Sequence, residues 1–170
     1  MAQVSVSAGN LQGGIMSEKS IEEIYEIYGE MLYKISLVML KNTHDAEDVV
    51  QNVMIKYMTK RTAFNSSEHE KAWLIRVCLN CCKDTLRFLK RSSHENIDDI
   101  KTTYPRESET AQVLVGLMNL PNRYRKVLIL YYYEGYKCNE IGNILRITES
   151  AVKKRLERGR KLLKQELKED

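Results

Sequence analysis

Residues 137–168 read KCNEIGNILRITESAVKKRLERGRKLLKQELK, two helix-period patterns separated by a very short turn. Lys137–Leu145 gives a short helix with the small Gly142 where a neighbour can cross closely. Arg146-Ile147-Thr148 forms the corner, and the Thr148 hydroxyl is placed to cap the next helix. That last helix, roughly Glu149–Lys168, puts Val152, Leu156, Gly159 and Leu163 on one stripe. A short helix, a tight turn and a longer basic helix make a helix-turn-helix, whose second helix enters a DNA major groove. Lys153, Lys154, Glu157, Arg158 and Lys161 are left on the outer face. Arg and Lys can donate to guanine edges, and Glu can accept from cytosine. The same spacing also fits an ordinary amphipathic helix with a charged surface.

Upstream of this unit, helical signal begins near Glu109 and pauses at Leu120-Pro121, with Pro121 suited to a helix's first turn. Asn122–Glu134 is apolar on most sides and is predicted to be buried. Gly135 fits the position just past its end.

The first half repeats the helical theme. Ser20 and Glu23 form a capping box. Ile21, Ile24, Tyr28, Leu32, Ile35 and Met39 then recur at steps of three and four, until Lys41-Asn42-Thr43-His44 breaks the pattern. A second helix, about Asp45–Thr59, turns Ala46, Val49, Val50, Val53 and Tyr57 inward and Glu47, Asp48, Gln51 and Asn52 outward. Residues 60–68 read as a polar loop around Phe64. A third helix from near Glu70 to Arg91 directs Trp73, Val77, Cys81 and Phe88 inward, helped by Leu74, Cys78 and Leu89. Its other side carries Arg76, Asn80, Lys83, Arg87 and Lys90, a ladder of donors along one face.

Composition agrees with an all-α chain. In 170 residues there are only 2 Pro and 8 Gly, and 43% are hydrophobic, enough for packed cores. The surplus of Lys and Arg lies in residues 111–170, as a nucleic-acid contact would require, or a solvated basic face. Residues 92–108 are acidic, contain Pro105 and lack periodicity, so they read as a linker. Cys78, Cys81, Cys82 and Cys138 read as free thiols in a reducing cytoplasm; no His stands near the first three to complete a zinc site. No run approaches the ~20 apolar residues of a membrane span. Residues 1–16 lack a basic start and an apolar core, so they read as an expression scar or a disordered tail rather than a signal peptide.

These segments carry a resemblance. Leu120-Pro121, Tyr124-Arg125-Lys126-Val127, Glu134-Gly135, Glu140-Ile141-Gly142, Val152-Lys153-Lys154-Arg155-Leu156 and Arg158-Gly159-Arg160 resemble region four of the sigma-70 family, in particular its extracytoplasmic-function group. Asp45-Ala46-Glu47-Asp48-Val49-Val50-Gln51 resembles the region-two helix that docks on RNA polymerase. Ala72-Trp73-Leu74-Ile75-Arg76-Val77, with Asn80, Asp84 and Leu86, resembles the helix that melts and reads promoter DNA. The match covers about residues 20–91 and 109–167, in order.

The resemblance implies two small helical domains joined by a flexible linker, residues 17–91 and 109–170. It implies no enzyme activity, cofactor, metal or small-molecule substrate. Asp45, Glu47, Asp48, Gln51 and Asn52 would meet core RNA polymerase, with its beta and beta-prime subunits as partners. Asn52 stands where an acidic residue is common. Arg61, Phe64, Asn65, Arg76, Asn80, Lys83 and Arg87 would open and read the minus-ten element, with Phe64, Asn65 and Asn80 candidates to hold a flipped base. Phe64 fits equally well as a loop anchor packed on its domain. Thr148, Ser150, Lys153, Lys154, Glu157 and Arg158 would read the minus-thirty-five element, with Glu157 either facing the groove or pointing to solvent. An anti-sigma partner, often membrane-anchored in this group, is also expected. A helix-turn-helix regulator that acts without polymerase docking is the rival reading, and it leaves residues 45–91 unexplained. A metal or thiol enzyme built on the cysteines is a distant third reading.

Overall fold

The computed structural model describes residues 19–60, 63–92 and 109–168. The predicted leader, Arg61 and nearly all of the predicted linker lie outside these residues. Among the described residues seven α-helices follow in order: α1 Ile21–Leu40, α2 Thr43–Thr59, α3 Ser67–Ser92, α4 Glu109–Asn119, α5 Asn122–Leu128, α6 Cys138–Leu145 and α7 Glu149–Glu166. A five-residue π-helical turn, Ile129–Tyr133, extends α5. No strand occurs among the described residues.

Local chemistry sets the helix ends. Glu23 N donates to Ser20 Oγ at 3.2 Å and Ser20 N donates to Glu23 Oε2 at 2.7 Å, the capping box read from sequence. Lys41 closes α1 in the left-handed region at φ 61°. The Asn42 side chain accepts from Asp45 N at 3.0 Å, so α2 begins at Thr43, two residues before the predicted start. Ser66 Oγ accepts from His69 N at 3.1 Å, and α3 begins at Ser67, three residues earlier than predicted. Capping outweighs the polarity that made this stretch look like loop.

Helices α1, α2 and α3 form a three-helix bundle around Ile24, Leu32, Ile35, Val49, Val53, Leu74 and Ile75. Burying each such side chain contributes about 1.5–3 kcal/mol. Cys78, Cys81 and Cys82 are buried in the same core. Cys78 shares a 3.2 Å hydrogen bond with Ser36 Oγ, and its contact with Cys82 together with burial holds its thiol well above the usual range. Such a protonated, buried thiol is a poor nucleophile.

Two inward assignments do not hold. Phe88 is 69% exposed, because α3 runs past the end of the bundle at this point. The stretch 122–134 is buried only through Leu130; Tyr131, Tyr132 and Tyr133 emerge into solvent on the π-helical turn. The wider π turn shifts the phase of the apolar stripe, a change that a fixed helical period cannot anticipate.

Helices α5, α6 and α7 form the second bundle, with α4 packed on α7. Its core holds Leu120, Val127, Leu128, Ile129, Ile141, Ile144, Val152 and Leu156. Gly135 adopts φ 71° just past the π turn. The two bundles touch: α1 meets α4 and α5, and α3 meets α6. Arg125, only 1% exposed, donates through Nη1 to the carbonyls of Val38 at 2.9 Å and Met39 at 3.0 Å, and through Nε and Nη2 to Leu120 O. A guanidinium from the second bundle thus satisfies the carbonyl end of α1, where positive charge is favoured.

Candidate docking and nucleic-acid surfaces

The helix-turn-helix forms as its local sequence directs. Arg146 ends α6 in the left-handed region at φ 55°, and Ile147 N donates to Gly142 O at 3.0 Å. Thr148 Oγ1 accepts from Ala151 N at 3.2 Å and starts α7. A Cβ at Gly142 would lie 2.8 Å from Ile147 O, so the absence of a side chain there lets the turn fold back on α6.

Val152, Leu156 and Gly159 are buried, while Lys153, Lys154, Glu157 and Arg158 are exposed on the opposite face of α7, with Ser150 at its start. Two charges on this face are already paired within the helix. Lys153 Nζ lies 2.6 Å from Glu149 Oε1, and Lys161 Nζ lies 2.9 Å from Glu157 Oε1. Glu157 is exposed beside Lys161, whose hydrogen bond and charge lower its pKa. Lys154 and Arg158 have no ion pair among the described residues, which leaves their donors available to a duplex. Arg160, part of the region-four resemblance but assigned no role there, donates to Tyr132 Oη at 3.1 Å and ties α7 to the exposed tyrosine turn.

On the first bundle, Glu47, Asp48, Gln51 and Asn52 are exposed on the outer face of α2, and Asp45 is half-buried at its start. Exposed Ile55 and Met58 continue the same face by one and two turns, an apolar extension not identified from sequence although the spacing carries it. Beside it, a groove between α1 and α2 is lined by Tyr25, Glu26, Glu30, Tyr33, Glu47 and Gln51. An acidic and aromatic groove with an apolar margin suits a basic, partly apolar helix.

A buried network fixes α2 against its neighbours. Glu70 of α3 accepts from Tyr57 Oη of α2 at 2.7 Å and from Tyr28 Oη of α1 at 3.4 Å, and it pairs with Lys19. Bonding to Glu70 raises the Lys19 pKa. Nothing local marked Glu70 as a core residue, because its partners come from other helices.

The aromatic of the 60–68 loop lies inside. Phe64 is 6% exposed and packs on Tyr57, His69 and Trp73 at centroid distances of 6.0, 5.5 and 5.6 Å. This is the placement a loop anchor packed on its domain would have, with little of the ring exposed. Lys60 Nζ lies 4.4 Å from both the Tyr57 and Phe64 rings, a cation over an aromatic pair that sequence reading did not note. Asn65 is exposed at the rim of this cluster.

Along α3, Asn80, Lys83, Arg87 and Lys90 are exposed as the ladder predicts. Arg76 is the exception. It is half-buried, and its Nη2 and Nε donate to Asn143 O at 3.2 Å and Ile144 O at 3.4 Å on α6. Nearby, burial and the charges of Lys83 and Arg155 lower the Lys126 pKa, so like charges face each other across the bundle boundary.

Two helical bundles, one with a helix-turn-helix and one with an exposed acidic helix and a donor ladder, define the architecture of a DNA-binding protein. Residues 24–92 match the family model for Sigma-70 region 2, and residues 111–163 match that for Sigma-70, region 4. The ECF RNA polymerase sigma factor SigM of Bacillus subtilis (strain 168) is 32% identical over 155 residues, covering 85% of this chain and 93% of that protein. SigW of the same organism is 26% identical over 170 residues, covering 89% and 91%. By structure, the chain is similar to the sigma factor RpoE from Bartonella quintana, co-crystallised with the anti-sigma factor NepR, at TM-score 0.72 and 21% identity over 88% of this chain and 97% of that one. CnrH, in complex with the cytosolic domain of CnrY, aligns at TM-score 0.64 and 23% identity over 88% of each chain.

The chain belongs to the extracytoplasmic-function group of sigma-70 RNA polymerase sigma factors. Its function is promoter-specific transcription initiation. Among the described residues no helix is long and apolar enough to cross a membrane.

Proposed function

We propose that the two bundles divide the work of initiation and that polymerase supplies all the chemistry. The α2 face of Asp45, Glu47, Asp48, Gln51 and Asn52, extended by Ile55 and Met58, docks on the clamp helices of the largest core subunit. The α3 face of Asn80, Lys83 and Arg87, joined by Arg61, Arg76 and the exposed Asn65, handles the minus-ten element. Phe64 acts there as an internal support rather than as a stacking platform. The outer face of α7 reads the minus-thirty-five element. Lys154 and Arg158 are its principal donors, with Ser150 and Lys153 at the margin, Thr148 as cap and Glu157 neutralised by Lys161. The protein works in the cytoplasm, where polymerase is. An anti-sigma protein, of the kind co-crystallised with RpoE, restrains it.

The observation that carries this reading is the coexistence in one chain of an exposed acidic helix face and a capped helix-turn-helix whose Lys154 and Arg158 have no ion pair among the described residues. Runoff transcription with purified core polymerase tests it. Accurate initiation is expected only when both components are present, and Asp48→Ala should weaken core binding while sparing the affinity of α7 for upstream DNA. Promoter binding without any core-dependent transcript would favour a free-standing regulator instead.

A further inference from the structure

We propose that Phe88 is a further promoter-contacting residue, a ring at the far end of α3 that stacks on a base exposed by melting while Arg87 and Arg91 hold the neighbouring phosphates. The inference rests on the functional reading above and extends its minus-ten surface about two helical turns beyond Asn80.

The fold leaves this ring in reach of a partner. Helix α3 has 26 residues against 20 in α1 and 17 in α2, so at about 1.5 Å per residue it outruns both. Cys82 is the last buried residue of α3, and the residues after it project from the bundle. Phe88 lies on this projection and is 69% exposed, more than any other large apolar side chain among the described residues. The aromatic side chains nearer the start of α3 are packed instead. Phe64 and Tyr57 are buried, and Trp73 is half-buried against both.

Charge decides what the ring meets. Lys83, Arg87, Lys90 and Arg91 are exposed along the same projection, against Asp84 alone, which lies 3.6 Å from Arg87. Arg91, three residues on, shares the side of the helix that Phe88 occupies. An exposed ring among cations is the pattern that tracks a nucleic-acid strand, because every base presents a π face and every linkage a phosphate. A protein partner would set these cations against an apolar contact, whereas the centres of protein interfaces are depleted in charged side chains. A phenyl ring has no donor or acceptor, so the contact accepts any base and adds affinity rather than sequence reading. Its register is fixed by the helix. Phe88 stands eight residues beyond Asn80, about 12 Å along the axis, or roughly three to four steps of stacked bases at about 3.4 Å each.

The test uses holoenzyme reconstituted from core polymerase and the full chain, as wild type, Phe88→Ala, Phe88→Leu and Phe88→Tyr. The probe is a duplex with an unpaired bubble, selected from a randomised pool by wild-type holoenzyme. It carries aminopurine at one position at a time across the bubble and its borders. Phe88→Ala should bind this DNA at least about fivefold more weakly and should raise aminopurine fluorescence at one site, roughly three to four steps from the base most sensitive to Asn80→Ala. Phe88→Tyr should restore both readings; Phe88→Leu, apolar but without a π face, should not. Thermal unfolding and core affinity should keep their wild-type values in all three variants, as expected of an exposed side chain. A Phe88→Ala holoenzyme with wild-type DNA affinity and fluorescence would overturn the proposal, as would full rescue by Phe88→Leu. Weakened core binding by Phe88→Ala would place the ring against polymerase and overturn it too. If wild-type chain and core together retain no DNA from the pool, the functional reading fails and this inference with it; a complex that forms but is indifferent to Phe88 refutes the inference alone.

Discussion

Glu70→Ala is the most demanding test of how the first bundle is held together. The Glu70 carboxylate is 3% exposed and accepts from Tyr57 Oη at 2.7 Å and from Tyr28 Oη at 3.4 Å while pairing with Lys19, so it joins three helices and the residue that precedes them. Removing it takes away the 2.7 Å hydrogen bond of the Tyr57 hydroxyl. The Tyr28 bond, near the distance limit, contributes less. A hydrogen bond to a charged group contributes about 1.5–3 kcal/mol, and stripping one partner from a buried charged cluster costs about 3–5 kcal/mol. We expect Glu70→Ala to lose about 3–5 kcal/mol and Tyr57→Phe about 1.5–3 kcal/mol. The double variant should be little worse than Glu70→Ala alone, a coupling of about 1.5–3 kcal/mol. Urea unfolding followed by Trp73 fluorescence is the suitable assay. Trp73 is the single tryptophan, and it sits 6.2 Å from Tyr57 within the affected bundle. A loss below about 1 kcal/mol for Glu70→Ala, or strict additivity of the two changes, would refute the reasoning, provided the denaturant slope stays constant.

Three further outcomes are expected. Gly142→Ala would place a Cβ 2.8 Å from Ile147 O, so thermal denaturation should report a loss of about 1–3 kcal/mol, with weaker upstream DNA binding; an unchanged melting temperature would count against the tight turn. Arg158→Ala should weaken binding to the upstream element by about 1–3 kcal/mol in a fluorescence titration, and retained sequence preference would remove Arg158 from base reading. Burial, then Glu134 and Glu140, push the Tyr136 pKa from 10.0 up to about 12, so the fold favours the neutral phenol. That stabilisation is complete below pH 10 and is lost as pH rises toward 12, so stability curves of wild type and Tyr136→Phe should diverge over this window; parallel curves would exclude the effect.

The sequence by itself determined the helical class, the order of the two bundles and the helix-turn-helix. The Ser20 capping box, the Thr148 cap, Gly135 and Gly142 are all read from residues within one turn of each other, and such signals survive without knowledge of the fold. The exposed polar face of α2 and most of the α3 ladder were legible for the same reason, since helical spacing decides which side chains share a side. Tertiary structure alone decided what those faces meet. It turned Phe64 inward and Phe88 outward, released Tyr131–Tyr133 through a π turn, enlisted Glu70 as a core carboxylate, and engaged Arg76 with α6. Arg125 is the clearest case: its acceptors at Val38 and Met39 lie 87 and 86 residues away. Periodicity says that a side chain leaves its helix in a given direction; which carbonyl, ring or solvent waits there depends on how distant segments pack, and no local pattern encodes that.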